Sequence, residues 1–367
     1  MSNDREMSIT RHQYIHILIG SMIGTGILTL PRITAKIIDQ DAWLAVILGA
    51  ALPIISIVLI HLVCRKYPDM DFVDLSQKLA GRFLGKLLIL PIIIYNVMDS
   101  GVISRIFVEA IKLFLLNKTP RLMLVILILL VAAYLAASGI RVLGRVNEFL
   151  FYMLPVSMIF TIPFLIYHAD FYQLLPVLNH SYKEYIEAAL NTSFAYSGFE
   201  ISILAYSYVN KKEKILKTGV NSIIITGSIY LYTVVTALVI FGPGLVQKFT
   251  FPTIRILTTH EIPVLERVEF IFIILWISLA FRPISNQYYF SVHLTQKLLN
   301  MKSNKILIII MLPIITTIAI IPDNIFDVFK QSDYIGWMSL FVGIAIPLIL
   351  LAVSLLHNKG GKTHEAE

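Results

Sequence analysis

The ionisable side chains Asp99, Arg105, Glu109, Glu200 and Arg282 stand inside long apolar runs of this 367-residue chain. Hydrocarbon solvates a charge poorly, so each is a functional candidate. Arg105 and Glu109 are four residues apart and can neutralise each other as a structural pair on one helix. Glu200 follows Gly198 closely enough to fasten a backbone break there through hydrogen bonds, or to relay a proton. Asp99 and Arg282 fall at similar depths in two different runs, and opposite charges near a membrane midplane are expected to pair. Arg282 with Glu200, or with an acidic ligand directly, are the competing arrangements.

A second kind of chemistry is available from backbone. Gly20, Ser21, Gly24, Thr25 and Gly26 interrupt one apolar run, and Ser193, Ser197 and Gly198 interrupt another. Helices broken at corresponding places in two inverted halves point to a midplane binding site. Amides freed at the start of a half-helix attract a carboxylate, and freed carbonyls accept from an ammonium. Gly24, Thr25 and Gly26 are the expected amide donors, Phe194, Ala195 and Ser197 the expected carbonyl acceptors, and Gly24 and Gly198 make room for ligand atoms. The bland alternative is that these glycines only let helices pack closely.

The elements that must carry these groups are membrane helices. Apolar residues make up 57% of the chain and charged ones 14%, well below the roughly 25% charged of a soluble domain, and the mean hydropathy is +0.78. Runs near the ~20 residues that cross a bilayer give about ten spans: 12–34, 42–64, 87–116, 121–138, 149–168, 186–209, 220–241, 268–292, 306–321 and 334–357. The fold class is thus an all-α integral membrane bundle of five plus five helices, a single domain with inverted repeats at about 12–168 and 186–357. Residues 71–84 are expected to form a short interfacial helix or a polar loop, and 242–263 a partial or re-entrant helix. Arg65, Lys66, Lys78, Arg82 and Lys86 cluster in one loop, and Lys211, Lys212, Lys214 and Lys217 in another. The net charge of +7 is therefore read as an orientation signal that places both termini in the cytoplasm, not as a nucleic-acid surface.

Several functions find no support. The chain has no GxSxG, HExxH, P-loop or paired CxxC motif, so no enzyme activity, cofactor or metal is expected. His12, His16, His61 and His168 fall near span ends, where interfacial placement is the default. Cys64, the single cysteine, allows no disulfide within the chain. Residues 1–11 read as a retained tail and not as a signal peptide.

Other stretches carry a resemblance: Gly24-Thr-Gly-Ile-Leu-Thr-Leu-Pro-Arg32, Lys112-Leu-Phe-Leu-Leu-Asn-Lys-Thr-Pro120, Leu175-Pro-Val177, Ser197-Gly-Phe-Glu200, Phe251-Pro-Thr-Ile254, Glu266-Arg-Val-Glu269 with Trp276, and Asp333-Tyr-Ile-Gly336. Together they resemble the membrane-embedded B subunits of bacterial spore germinant receptors, within the amino acid, polyamine and organocation transporter superfamily. The resemblance implies a nutrient-binding subunit, with an amino acid as ligand, in the inner membrane of a dormant spore. It further implies an A subunit and a lipoprotein C subunit as partners, and germination as the outcome of binding. The ligand site would then lie on Gly24, Thr25, Gly26 and the 197–200 break, flanked by spans three and eight with Asp99 and Arg282. At those two positions uncharged residues are usual in the family, so a preference for neutral amino acids does not carry over simply. A proton-coupled amino acid permease is the rival reading.

Overall fold

The computed structural model describes residues 8–259 and 268–360, with side chains for 8–258 and 270–356. Helices dominate throughout. Among the described residues the one β-type contact is an isolated parallel bridge between Ile9 and Val209.

The first span is two helices, α1 (Arg11–Met22) and α2 (Gly26–Ile38). Thr10 starts α1 with a capping box, its hydroxyl accepting from the Gln13 amide while the Gln13 side chain accepts from Thr10 N–H, which satisfies two otherwise orphaned donors. After Asp39, at φ 41°, α3 (Ala42–Gly49) and α4 (Ala51–Cys64) form the second span. Asp41 lies between these spans and receives the amides of Leu178 and Asn179, the Tyr185 hydroxyl and His180. Burial by itself would raise its carboxyl, but the Tyr185 hydroxyl and the two amides hold it below the usual carboxylate range. The long loop before span six is thereby tied to the start of span two.

The third span belongs to α5 (Phe72–Phe114), 43 residues long, about 65 Å if straight and twice a hydrocarbon core. It bends at Gly81, whose φ of 79° and ψ of 167° are open to glycine but not to L side chains. Of the two readings of 71–84 the helix is the one formed, and it continues into the span instead of being a separate element. Phe83, Leu84 and Leu87 stay exposed beside the bend, as suits an apolar face on lipid.

Next come α6 (Arg121–Ala137), then α7 (Ile140–Phe151), α8 (Met153–Ile159) and α9 (Ile162–His168). This fifth span begins at Ile140 and not at Phe149. Arg141, Arg145 and Glu148 suggested a loop, but they sit on one side of α7 while Leu143, Gly144 and Asn147 are buried on the other. Span six is α10 (Tyr182–Asn191), α11 (Ser193–Tyr196) and α12 (Ile201–Ala205). The remainder is α13 (Ile215–Phe241), the short α14 (Pro243–Val246) and α15 (Pro252–Thr259), α16 (Val268–Leu298), α17 (Lys305–Ile320), and α18 (Ile325–Leu340) joined through a π turn to α19 (Ile346–Gly360). The partial helices expected in 242–263 are α14 and α15; residues 260–263, like Glu266 and Arg267 of the Glu-Arg-Val-Glu motif, lie outside the described residues.

Among the described residues six stretches are long and apolar enough to cross a membrane, with α6 and α17 shorter apolar helices. Helix α16 is the central post, packed on α5, α6, α1 and α7.

Candidate functional site

Both breaks fall where the small residues predict them, and they touch. Helix α1 ends at Ile23, α2 restarts at Gly26, and the chain between them has lost regular helical bonding, with Gly24 N–H turning back to the Met22 carbonyl. In span six α11 ends at Ser197 and α12 starts at Ile201, with Gly198 at φ 109°. A Cβ on Gly198 would stand 2.5 Å from the carbonyl carbon and oxygen of Ser21, and one on Gly26 would stand 2.7 Å from Ala195 Cα. Both are closer than real contacts allow, so glycine is required by approach at each, and at Gly198 by conformation as well. Gly24 packs on Pro283 of α16 in the same way, at 2.7 Å.

The Tyr230 hydroxyl of α13 bridges the breaks, 2.7 Å from the Met22 carbonyl and 2.6 Å from that of Ala195. A phenol has one proton, so it donates to one carbonyl at a time. Ser197 Oγ donates to the Phe194 carbonyl at 2.7 Å, closing the end of α11. Two of the expected carbonyl acceptors, Phe194 and Ala195, are thus engaged within the protein. Thr25 Oγ is buried without a partner.

Glu200 fixes the span-six break. Its two oxygens accept from Gly198 N–H at 2.9 and 3.0 Å, and Ser339 Oγ of α18 donates to Oε2 at 3.1 Å. Asp99 sits beside it. Gln287 Nε2 donates to Asp99 Oδ2 at 2.7 Å and reaches Glu200 Oε1 at 3.5 Å, while the Tyr95 hydroxyl is 3.4 Å from Asp99 Oδ2. Asp99 Oδ1 and Gln287 Oε1 have no partner.

Asp99 and Arg282 do not pair. Arg282, fully buried, directs Nε to the Leu279 carbonyl at 3.3 Å and leaves both terminal nitrogens without a partner. Its Cδ lies 3.3 Å from where a Cβ of Gly20 would be, on the α1 side of α16. The reason is angular: Gln287 is five residues further along, about 140° round the helix, and it is Gln287 that faces Asp99. The Arg282–Glu200 alternative is likewise not formed, since Glu200 is occupied by Gly198 and Ser339.

Arg105 and Glu109 are apart from this site. Arg105 Nε bonds Glu109 at 2.9 Å and Nη1 bonds the Ala319 carbonyl at 3.0 Å, and Arg121 joins Glu109 at 2.8 Å. They tie α5 to α17 and α6.

Sequence reasoning missed Tyr95, Asn147, Tyr230, Asn286, Gln287 and Ser339. Asn286 Nδ2 donates to Ser21 Oγ at 2.8 Å and to Asn147 Oδ1 at 3.1 Å, with Asn147 returning a bond of 2.8 Å, so α1, α7 and α16 are clamped beside the first break. The adjacent amides Asn286 and Gln287 in an apolar run were a visible signal.

Two touching helix breaks around a post helix, in an all-α bundle of apolar spans, define a transporter-like integral membrane protein. Solved structures share the fold: "Crystal structure of MhsT in complex with L-phenylalanine" aligns with a TM-score of 0.64 at 19% identity, over 95% of this chain and 99% of that one. A Na+-coupled sialic acid symporter in a substrate-bound outward-open state aligns with a TM-score of 0.66 at 14% identity, over 93% and 78%. The family model described as "Spore germination protein" matches residues 8–328, and the chain belongs to this spore permease family. Relatives from Bacillus subtilis (strain 168) include spore germination protein YndE, 25% identical over 96% of this chain and 98% of the relative, and spore germination protein B2, 26% identical over 97% and 98%.

Proposed function

We propose that this chain is the nutrient-binding subunit of a spore germinant receptor and that its ligand is an amino acid. One observation carries the reading: Arg282 and Asp99 are fully buried beside the two breaks and are left open by the protein, Arg282 at both terminal nitrogens and Asp99 at Oδ1. A ligand carboxylate suits the first and a ligand ammonium the second, which is reached on a different face of α16. The amides of Thr25 and Gly26 add to the carboxylate side, that of Gly24 being taken by the Met22 carbonyl, and Ser197 and Gly198 border the ammonium side. Glu200 keeps the break in shape, and Arg105 and Glu109 hold the helices that frame it.

On this reading the protein lies in the inner membrane of the spore with both termini on the core side. It works with A and C subunits, and ligand binding favours one of two existing conformations of the bundle. The two halves, about 12–168 and 186–357, are inverted repeats of one domain. A thermal-shift screen of amino acids on the purified protein tests the assignment: a shift for at least one amino acid, absent from Arg282→Met, is expected, and no shift across the set overturns it. The permease alternative predicts rapid counter-flow of a labelled amino acid in vesicles that contain this chain alone.

A further inference from the structure

Asp99 and Glu200 are two carboxylates in one site closed to solvent, and the Gln287 side-chain amide touches both. The groups facing Asp99 are Tyr95 from its own helix, Glu200 from the break, Gln287 from α16 and Ser339, which bonds Glu200, from α18. At Gly101, two residues on and about 200° round the helix, the nearest atoms of α17 belong to Ile315 and Ile318. None of these is a cation, and Arg282 is turned to the other side of α16. Two like charges in a desolvated site disfavour each other's ionised form.

The hydrogen bonds distinguish the two. Glu200 is surrounded by donors, the Gly198 amide on both oxygens and the Ser339 hydroxyl on one, as a carboxylate requires. Asp99 is not. An acid and a primary amide close a ring with two hydrogen bonds, and one of them is present, Gln287 Nε2 to Asp99 Oδ2 at 2.7 Å. Asp99 Oδ1 and Gln287 Oε1 are both buried, both acceptors in an ionised site, and both without a partner. A hydrogen on Oδ1 makes it the donor that Gln287 Oε1 lacks.

We infer that the ligand-free site binds one exchangeable proton, held on Asp99 Oδ1 and shared with Gln287, next to an ionised Glu200. The proton comes from water and returns to it, so the step is carboxylate plus hydronium to carboxylic acid plus water. This deepens the ligand assignment and rests on it for its meaning: the proton stands in for the ammonium, and a ligand ammonium arriving at Asp99 displaces it.

Infrared spectroscopy of the purified protein without ligand tests the proton. At neutral pH a protonated-carboxyl band is expected that shifts when aspartate carries a 13C carboxyl label, is unmoved by labelled glutamate, and is missing from Asp99→Asn. The labelling arms use the wild-type chain, so they stand even where that variant folds poorly. Absence of the band, a shift with labelled glutamate, or loss of the band on replacing choline chloride by sodium chloride each overturns the inference, the last because it assigns the site to a metal cation. No ligand is used, so a missing band leaves the amino-acid reading intact, and an empty ligand screen leaves the proton intact.

Discussion

Gly198 and Ser21 meet backbone to backbone, at a distance where a Cβ on Gly198 would overlap the Ser21 carbonyl. The two broken helices are therefore held in register by contact as well as by the hydrogen bonds around them, and glycine replacement separates the two effects. Gly198→Ala adds both a clash and an unfavourable backbone. Gly81→Ala adds only the backbone term, about 1–3 kcal/mol, because nothing lies within 4 Å of its Cβ position. Thermal unfolding of the purified protein should show the larger loss for Gly198→Ala; an equal loss would mean the breaks do not depend on close approach.

Arg282 allows a prediction of opposite sign. A buried charge without a partner lowers the stability of the empty protein, so Arg282→Met should raise its thermal midpoint and its unfolding free energy, the latter by about 1–4 kcal/mol if it behaves as buried ion pairs replaced by apolar groups do. The same variant should lose the shift produced by an amino acid. Because Asp99 and Arg282 are not bonded, Asp99→Asn and Arg282→Met should combine additively in a double-mutant cycle on the ligand-free protein. A coupling above about 1 kcal/mol would show an interaction that the geometry does not contain.

Tyr230→Phe removes one proton and one oxygen from between the breaks and leaves the ring in place. The expected loss is about 1 kcal/mol of stability, with a larger loss in nutrient response, because the bridge from Met22 to Ala195 goes with it. Spores carrying this variant at normal abundance and germinating normally would remove Tyr230 from the site.

Asp41 sets a limit in acid. Its carboxyl is held below the ordinary value of 3.8, so its contribution is present in full above that value and is lost as pH falls through the lower folded value. Asp41→Asn should lower the unfolding free energy at neutral pH by on the order of 1–3 kcal/mol, and the thermal midpoint with it. It should also flatten the decline of the midpoint below about pH 4 that the parent chain shows.

Orientation can be tested with little background, because the one native thiol, Cys64, is buried. Cysteine at the exposed Lys248 should react with an impermeant reagent added outside, and cysteine at the exposed Lys211 should not. Labelling of the second site from outside would reverse the topology.

The sequence made the breaks legible because glycine clusters in apolar runs have few other uses, and it made the lone charges legible because they are costly in lipid. It misled where angle mattered more than depth. Asp99 and Arg282 are at similar depth, but only rotation about α16 decides which residue faces α5, and Gln287 wins. Asn147 was lost for another reason: Arg141, Arg145 and Glu148 gave its surroundings the charge of a loop. Tyr230 looked like one phenol among many, and nothing in its neighbours announces that it spans two breaks.

Helix α5 has mechanical consequences beyond its chemistry. The single residue inside it with non-helical φ and ψ is Gly81, so residues 82–114 run on as one helix of about 50 Å with Pro91 near its start. Asp99 sits near its middle, Arg105 and Glu109 toward its far end, and the amphipathic leg at its near end. A rod hinged at one end turns a small displacement at its middle into a larger one at its tip. Any repacking around Asp99 must therefore move the Arg105–Glu109–Arg121 junction or swing the leg across the membrane surface, and both are places where a neighbouring protein could feel it.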